Sequence, residues 1–192
     1  MPRRLYSCLL CALAAPAFGA GLAVDVEIPR LDTAEYHRPY VAVWIEHEDN
    51  RVAANVAVWY QQVRAQARPA QRAAVAQRGA SAAAQGCGDS GTKWLPDLRQ
   101  WWRRSGRSLA LPVDGVTGAT RPVGTHTIEL DAASAPLDRL VPGNYRLVVE
   151  AVREVGGREL LRLPFVWPPT DAWQTDVRGT TELGRVAVRL TP

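Results

Sequence analysis

Apolar and polar side chains alternate with a period of two along Val24–Ile28, Tyr40–His47, Val52–Tyr60, Thr125–Leu130, Tyr145–Val152, Glu159–Trp167 and Arg185–Leu190. This period marks strands that bury one face. Glu48-Asp49-Asn50 joins the second and third segments and Gly156-Gly157 the fifth and sixth, and both are turn sequences able to supply positive φ, so each pair reads as an antiparallel hairpin. Strands recur with no alternating helices, which predicts an all-β chain folded as an antiparallel β-sandwich. Two stretches break the pattern. Residues 61–92 are rich in Ala, Gln, Arg and Gly with few large apolar groups, and read as a mobile insertion in which Val63–Gln77 has helical character. In Lys93–Gly106, Pro96 stands near a helix start, Leu98, Trp101 and Trp102 follow an i, i+3, i+4 spacing, and Gly106 stands where a C-cap belongs. That predicts a short amphipathic helix over 95–105.

Ahead of the first strand, Arg3-Arg4 precedes an apolar, Ala-rich run from Leu5 to Phe18 and then small residues, the pattern of a secretory signal over 1–20. The expected mature chain, 21–192, is a single periplasmic domain with no transmembrane segment. Cys8 and Cys11 fall within the signal, so the mature chain keeps only Cys87 and forms no internal disulfide. The formal charge of +4 rests partly on Arg3 and Arg4, and four further arginines lie in the insertion. No clustered basic footprint for nucleic acid remains. His37, His47 and His126 lack metal-ligand spacing, and neither a nucleophile elbow nor a zinc motif occurs. In Val141-Pro142-Gly143-Asn144-Tyr145-Arg146-Leu147, the P-G-x-Y-x-L pattern is similar to the closing strands of bacterial Ig-like and fibronectin-like modules. It implies an Ig-like or fibronectin-like variant of the sandwich.

Between the helix and the Thr125 strand lies Asp114-Gly115-Val116-Thr117-Gly118-Ala119-Thr120. The pattern D-x-x-S/T-G-A-S/T resembles the acceptor motif of the flavin-bearing subunits of sodium-pumping and electron-bifurcating membrane complexes. There a FAD:protein FMN transferase esterifies the last hydroxyl. The resemblance implies FMN on Thr120 through a phosphoester, with Asp114 and Thr117 as recognition or loop-ordering residues. Asp114 is suited to an Asx-turn, and Gly118 and Ala119 keep bulk away from the approaching hydroxyl. At average residue usage such a match arises by chance in roughly one chain of this length in a thousand; its bland alternative is a glycine-containing loop.

Upstream, Trp94, Trp101, Trp102, Arg103, Arg104 and Arg107 offer flat π faces and cations. They either pack the helix on the sandwich or serve the flavin: Trp101 or Trp102 stacking on the ring, and Arg103, Arg104 or Arg121 neutralising its charge. The run Glu27–Glu46 together with Trp94-Leu95-Pro96-Asp97-Leu98-Arg99-Gln100-Trp101-Trp102-Arg103-Arg104 resembles a bacterial family of predicted periplasmic proteins built on a domain of unknown function. That resemblance implies an exported protein encoded near flavin transferases and membrane reductase components. The reading is therefore an electron carrier rather than an enzyme, with a membrane-associated reductase component as donor. Its rival is a non-flavinylated Ig-like adaptor that docks a partner through the Trp/Arg-rich helix.

Overall fold

The computed structural model describes residues 20–62 and 91–192. The signal sequence, the body of the insertion, its expected helix and Cys87 lie outside the described residues. Among the described residues nine strands form two sheets. They are β1 (Gly21–Ile28), β2 (Tyr40–His47), β3 (Val52–Tyr60), β4 (Thr117–Ala119), β5 (Gly124–Asp131), β6 (Gly143–Val152), β7 (Arg158–Trp167), β8 (Trp173–Arg178) and β9 (Arg185–Thr191). One sheet runs β5-β1-β9-β8 and the other β4-β3-β2-β6-β7. All pairings are antiparallel except β3 with β4. The chain is an all-β sandwich, as its alternation predicts.

In β1 the side chains of Leu22, Val24, Val26 and Ile28 all point inward, and they meet Val43, Ile45, Leu147, Val149, Val186 and Val188 in the core between the sheets. Tyr145, at the start of β6, donates its hydroxyl to the carbonyl of Val141 at 2.7 Å, a tyrosine corner of the kind found in Ig-like sandwiches. β2 and β6 are instead buried on both faces. The outer face of their sheet carries Ala42, Trp44, Val58 and Val148, and a helical cover packs Leu95, Leu98 and Trp101 against it. That cover consists of a 3-10 segment, Gly91–Asp97, a short α-helix, α1 (Arg99–Arg104), and a 3-10 turn, Gly106–Ser108.

The turns show two uses of special backbone. Asn50 takes φ 68° in the β2–β3 hairpin, where its amide bonds the carbonyl of His47 at 2.9 Å. In the β6–β7 hairpin the positive φ falls on Val155 (54°) and not on the glycines expected to supply it. Gly156 and Gly157 serve close approach instead. A Cβ on Gly156 would stand 2.6 Å from the guanidinium carbon of Arg153, and one on Gly157 would stand 2.9 Å from Glu182 Oε1. Arg153 and Glu182 form a buried two-pronged pair at 2.9 and 3.2 Å, and Gly157 donates its amide to the same carboxylate at 2.7 Å.

Candidate functional site

The segment Val113–Thr120 is ordered by its own side chains and by β3. Thr117 closes the turn: its hydroxyl donates to the carbonyl of Val113 at 2.7 Å and accepts from the Val113 amide at 2.5 Å. Gly115 sits in the turn at φ +71° with nothing within 4 Å of its missing Cβ, so backbone conformation alone calls for glycine there. Val58 then donates its amide to the carbonyl of Val116 at 2.8 Å, β4 runs parallel to Val58–Tyr60, and Thr120 donates its amide to the carbonyl of Tyr60 at 3.2 Å. Gly118 lies on the Trp59 indole, where a Cβ would stand 3.1 Å from Cδ1. Arg121 covers the Trp59 ring at 5.3 Å, and His126 meets its edge at 5.9 Å.

Asp114 is exposed and makes no hydrogen bond among the described residues, so the Asx-turn expected of it is not formed; Thr117 does that work. Ala119 is exposed. Thr120 is half-buried, and its hydroxyl makes no hydrogen bond to the described residues. Thr120 lines a cavity of about 460 Å³ together with Tyr40, Trp94, Arg38, His37, Arg153 and Val155. A second cavity, of about 360 Å³, lies beside Gly118 and is lined by Trp59, Arg121 and His126. Burial pushes the Tyr40 phenol above its ordinary value despite a backbone hydrogen bond from Gln61, so this ring enters the first cavity as a neutral group.

The Trp/Arg helix is committed elsewhere. Trp101 is fully buried, and its indole donates to Asn55 Oδ1 at 2.8 Å, so neither ring face is open to a flavin. This corrects the expectation that it stacks on the cofactor. Gly106, expected as a C-cap, lies flat on that indole, with a Cβ at 2.5 Å from its ring carbon. Trp102 is half-buried in the cluster beneath the cover. Arg104 pairs with the fully buried Glu46, which also takes the Trp44 indole N–H at 3.1 Å and faces Arg146 at 3.2 Å and Arg162 at 3.6 Å. The Arg104 guanidinium is thus held by a buried carboxylate, while the residue also lines a cavity of about 810 Å³ with Asp114, Gly115 and Val116. Arg103 is exposed and donates to Gln100 Oε1 at 3.0 Å and to the carbonyl of Arg99 at 3.1 Å. None of these four residues lines either cavity beside Gly118 and Thr120.

What fixes the helix is Glu150, buried on β6. Its carboxylate accepts the amides of Gln100 at 3.0 Å and Trp101 at 2.8 Å, the free donors at the start of α1, and pairs with Arg158 at 2.6 Å. Sequence reasoning missed Glu46 and Glu150, although each falls on the outward register of its strand beside apolar neighbours, Trp44 and Val148. It also left Tyr40 and Arg38 unassigned. Trp94, grouped with the helix tryptophans, is the one in that run left 46% exposed, off the buried stripe of Leu95, Leu98 and Trp101.

A family model described as a predicted periplasmic protein, DUF2271, matches residues 21–185. The chain belongs to that family. The match begins at the first residue of β1 and ends at the first of β9, so it embraces nearly the whole sandwich, the helical cover and the Thr120 segment. Membership makes this a periplasmic protein by family description. No curated protein and no solved structure matches the chain. Among the described residues no helix is long and apolar enough to cross a membrane, and no group of His, Cys, Asp and Glu is placed to hold a metal ion.

Proposed function

We propose that this protein is a periplasmic electron carrier bearing FMN covalently on Thr120. The observation that carries the reading is the state of one hydroxyl. Gly115, Thr117 and Gly118 each have a folding role, whereas the Thr120 hydroxyl makes no hydrogen bond to the described residues and Thr120 lines a cavity. The residues present fit the group. The cavity falls in the size range of small-molecule sites, about 300–1,000 Å³, and combines aromatic and apolar walls with cations. In the attachment step Thr120 Oγ1 forms a bond to the phosphorus of the FMN half of FAD, the pyrophosphate bond breaks, AMP leaves and the hydroxyl proton is released. A FAD:protein FMN transferase is the partner that step requires. FMN, when bound, supplies reversible electron uptake, while the protein supplies attachment, position and charge. A membrane-associated reductase component is the donor this reading implies, and a covalent tether prevents loss of the cofactor outside the cytoplasm.

The test is export of the protein with an FMN transferase, followed by intact-mass and visible-absorption measurement. Yellow protein heavier by one FMN less one water is expected, abolished by Thr120→Ala and kept by Thr120→Ser. An adduct that survives Thr120→Ala, or maps to Thr117, refutes the assignment.

A further inference from the structure

Three cavities border the attachment segment, and they differ in what they offer a flat ring: the one of about 810 Å³ lined by Asp114, Gly115 and Val116 has no aromatic residue in its lining. Beside Gly118, the Trp59 indole is only 3% exposed and so has little open face for a ring. The cavity that Thr120 itself lines holds two of the few exposed large hydrophobic residues among those described, Trp94 at 46% and Val155 at 90%. An exposed indole and an exposed valine on one concavity form an unpartnered apolar pair. Val155 is held there against its own preference, because a β-branched residue at φ 54° is strained. The buried Arg153–Glu182 pair, with the Gly157 amide on the same carboxylate, fixes the turn that presents it. Strain maintained by a buried ion pair at a cavity rim points to a ligand-facing position.

Charge discriminates further. Arg153 is spent on Glu182, and Glu154 stands 3.8 Å from His37 Nδ1. Arg38 is exposed and makes no hydrogen bond or ion pair among the described residues. Lys93 Nζ lies 5.2 Å from the centre of the Trp94 ring, which adds a second cation on that side, while Asp97 is the cavity's remaining carboxylate.

Resting on the assignment of FMN to Thr120, we infer that the isoalloxazine ring seats in this cavity, stacked on Trp94 and bordered by Val155, with Arg38 as its charge partner. The seat settles on Trp94 the stacking role that the sequence pattern leaves open among Trp94, Trp101 and Trp102, and gives Arg38 the charge role it leaves open among Arg103, Arg104 and Arg121.

Exported, transferase-treated protein and its Trp94→Ala, Trp94→Phe, Trp59→Phe and Arg38→Gln variants test it, each first weighed for the FMN adduct. A stacked indole quenches flavin emission, so loaded Trp94→Ala should show a several-fold rise in flavin fluorescence and loss of visible circular dichroism. Trp94→Phe should lie between, and Trp59→Phe should match the unaltered protein. Arg38→Gln should lower the midpoint potential, since a nearby cation favours the more negative, reduced cofactor. Loaded Trp94→Ala with unchanged emission and dichroism overturns the seat, as does release of emission by Trp59→Phe alone. An unchanged potential in Arg38→Gln removes Arg38 from it. Absence of any FMN mass on the unaltered protein refutes the Thr120 assignment itself.

Discussion

Replacing Arg104 by Met removes a cation from a carboxylate that has no access to water. Glu46 is fully buried, and the Arg104 side chain is 18% exposed. Removing one partner of a buried pair costs about 3–5 kcal/mol, because the remaining charge is left uncompensated. Here Arg146 at 3.2 Å and Arg162 at 3.6 Å still face Glu46, and the Trp44 indole still donates to it, which places the loss near the lower end. With a urea m-value of about 2 kcal/mol/M, a loss of about 3 kcal/mol moves the unfolding midpoint down by about 1.5 M. Urea titration followed by tryptophan emission reads this directly, since Trp44 contacts the carboxylate. Arg103→Met is the control. Its guanidinium is exposed and bonded only within its own helix, so a change within about 0.5 kcal/mol is expected. Equal midpoints for Arg104→Met and the unaltered protein, or an equal loss in Arg103→Met, would refute this account of what holds the cover down.

Thr117→Ala should cost about 1 kcal/mol through loss of its turn-closing bonds, yet still yield the Thr120 adduct; failure to accept flavin while folded would give Thr117 a chemical role. Gly118→Val should cost about 1–3 kcal/mol by crowding Trp59, measured as a fall in thermal midpoint, and an unchanged midpoint would show that the indole yields freely. For acid, the relevant group is Glu159: burial pushes its carboxyl up, but the amides of Thr180, Leu183, Thr181 and Glu182 outweigh that and hold it below the ordinary value. Because the folded value is depressed, the stabilisation is complete above the unfolded glutamate value, about 4.3, and is lost as pH falls through the folded one. Urea midpoints between about pH 6 and pH 3 should therefore fall more steeply for the unaltered protein than for Glu159→Gln, and parallel curves would contradict the linkage.

The strands were legible where one face meets the core, because Leu22, Val24, Val26 and Ile28 impose the period of two regardless of what covers the other side. β8 and β4 were not. Trp173–Arg178 is an edge strand with mostly exposed side chains, so it has almost no inward apolar register to read. Thr117–Ala119 becomes a strand only through pairing with β3, a long-range event that its small residues do not announce. The helical cover was visible in the Leu98, Trp101 and Trp102 spacing, but its fixation was not. It depends on Glu46 and Glu150, about half the chain apart, arriving on one face of one sheet, and spacing within the helix carries no trace of that.

The Thr120 segment shows why a short motif needs its fold before it is read as chemistry. Were the seven residues only a connecting loop, the folded state would account for each polar side chain within it. It accounts for Thr117, whose hydroxyl bonds Val113 twice over, and for Gly115 and Gly118 through backbone angle and the Trp59 indole. Val116 packs against the cluster under the helical cover and its carbonyl accepts from Val58, so Asp114, Ala119 and Thr120 remain. The first two are exposed, Asp114 and Thr120 each line a cavity, and neither polar side chain among them makes a hydrogen bond within the described fold. Residues that folding leaves unused are those available to an external partner, and under the proposed flavinylation they are the groups a transferase would grip. On this reasoning Asp114→Ala should slow flavin attachment while leaving the thermal midpoint within about 0.5 kcal/mol, as expected for an exposed side chain without partners. Unaltered attachment kinetics would return Asp114 to the role of a solvated loop residue, and Thr120 would then carry the proposal alone.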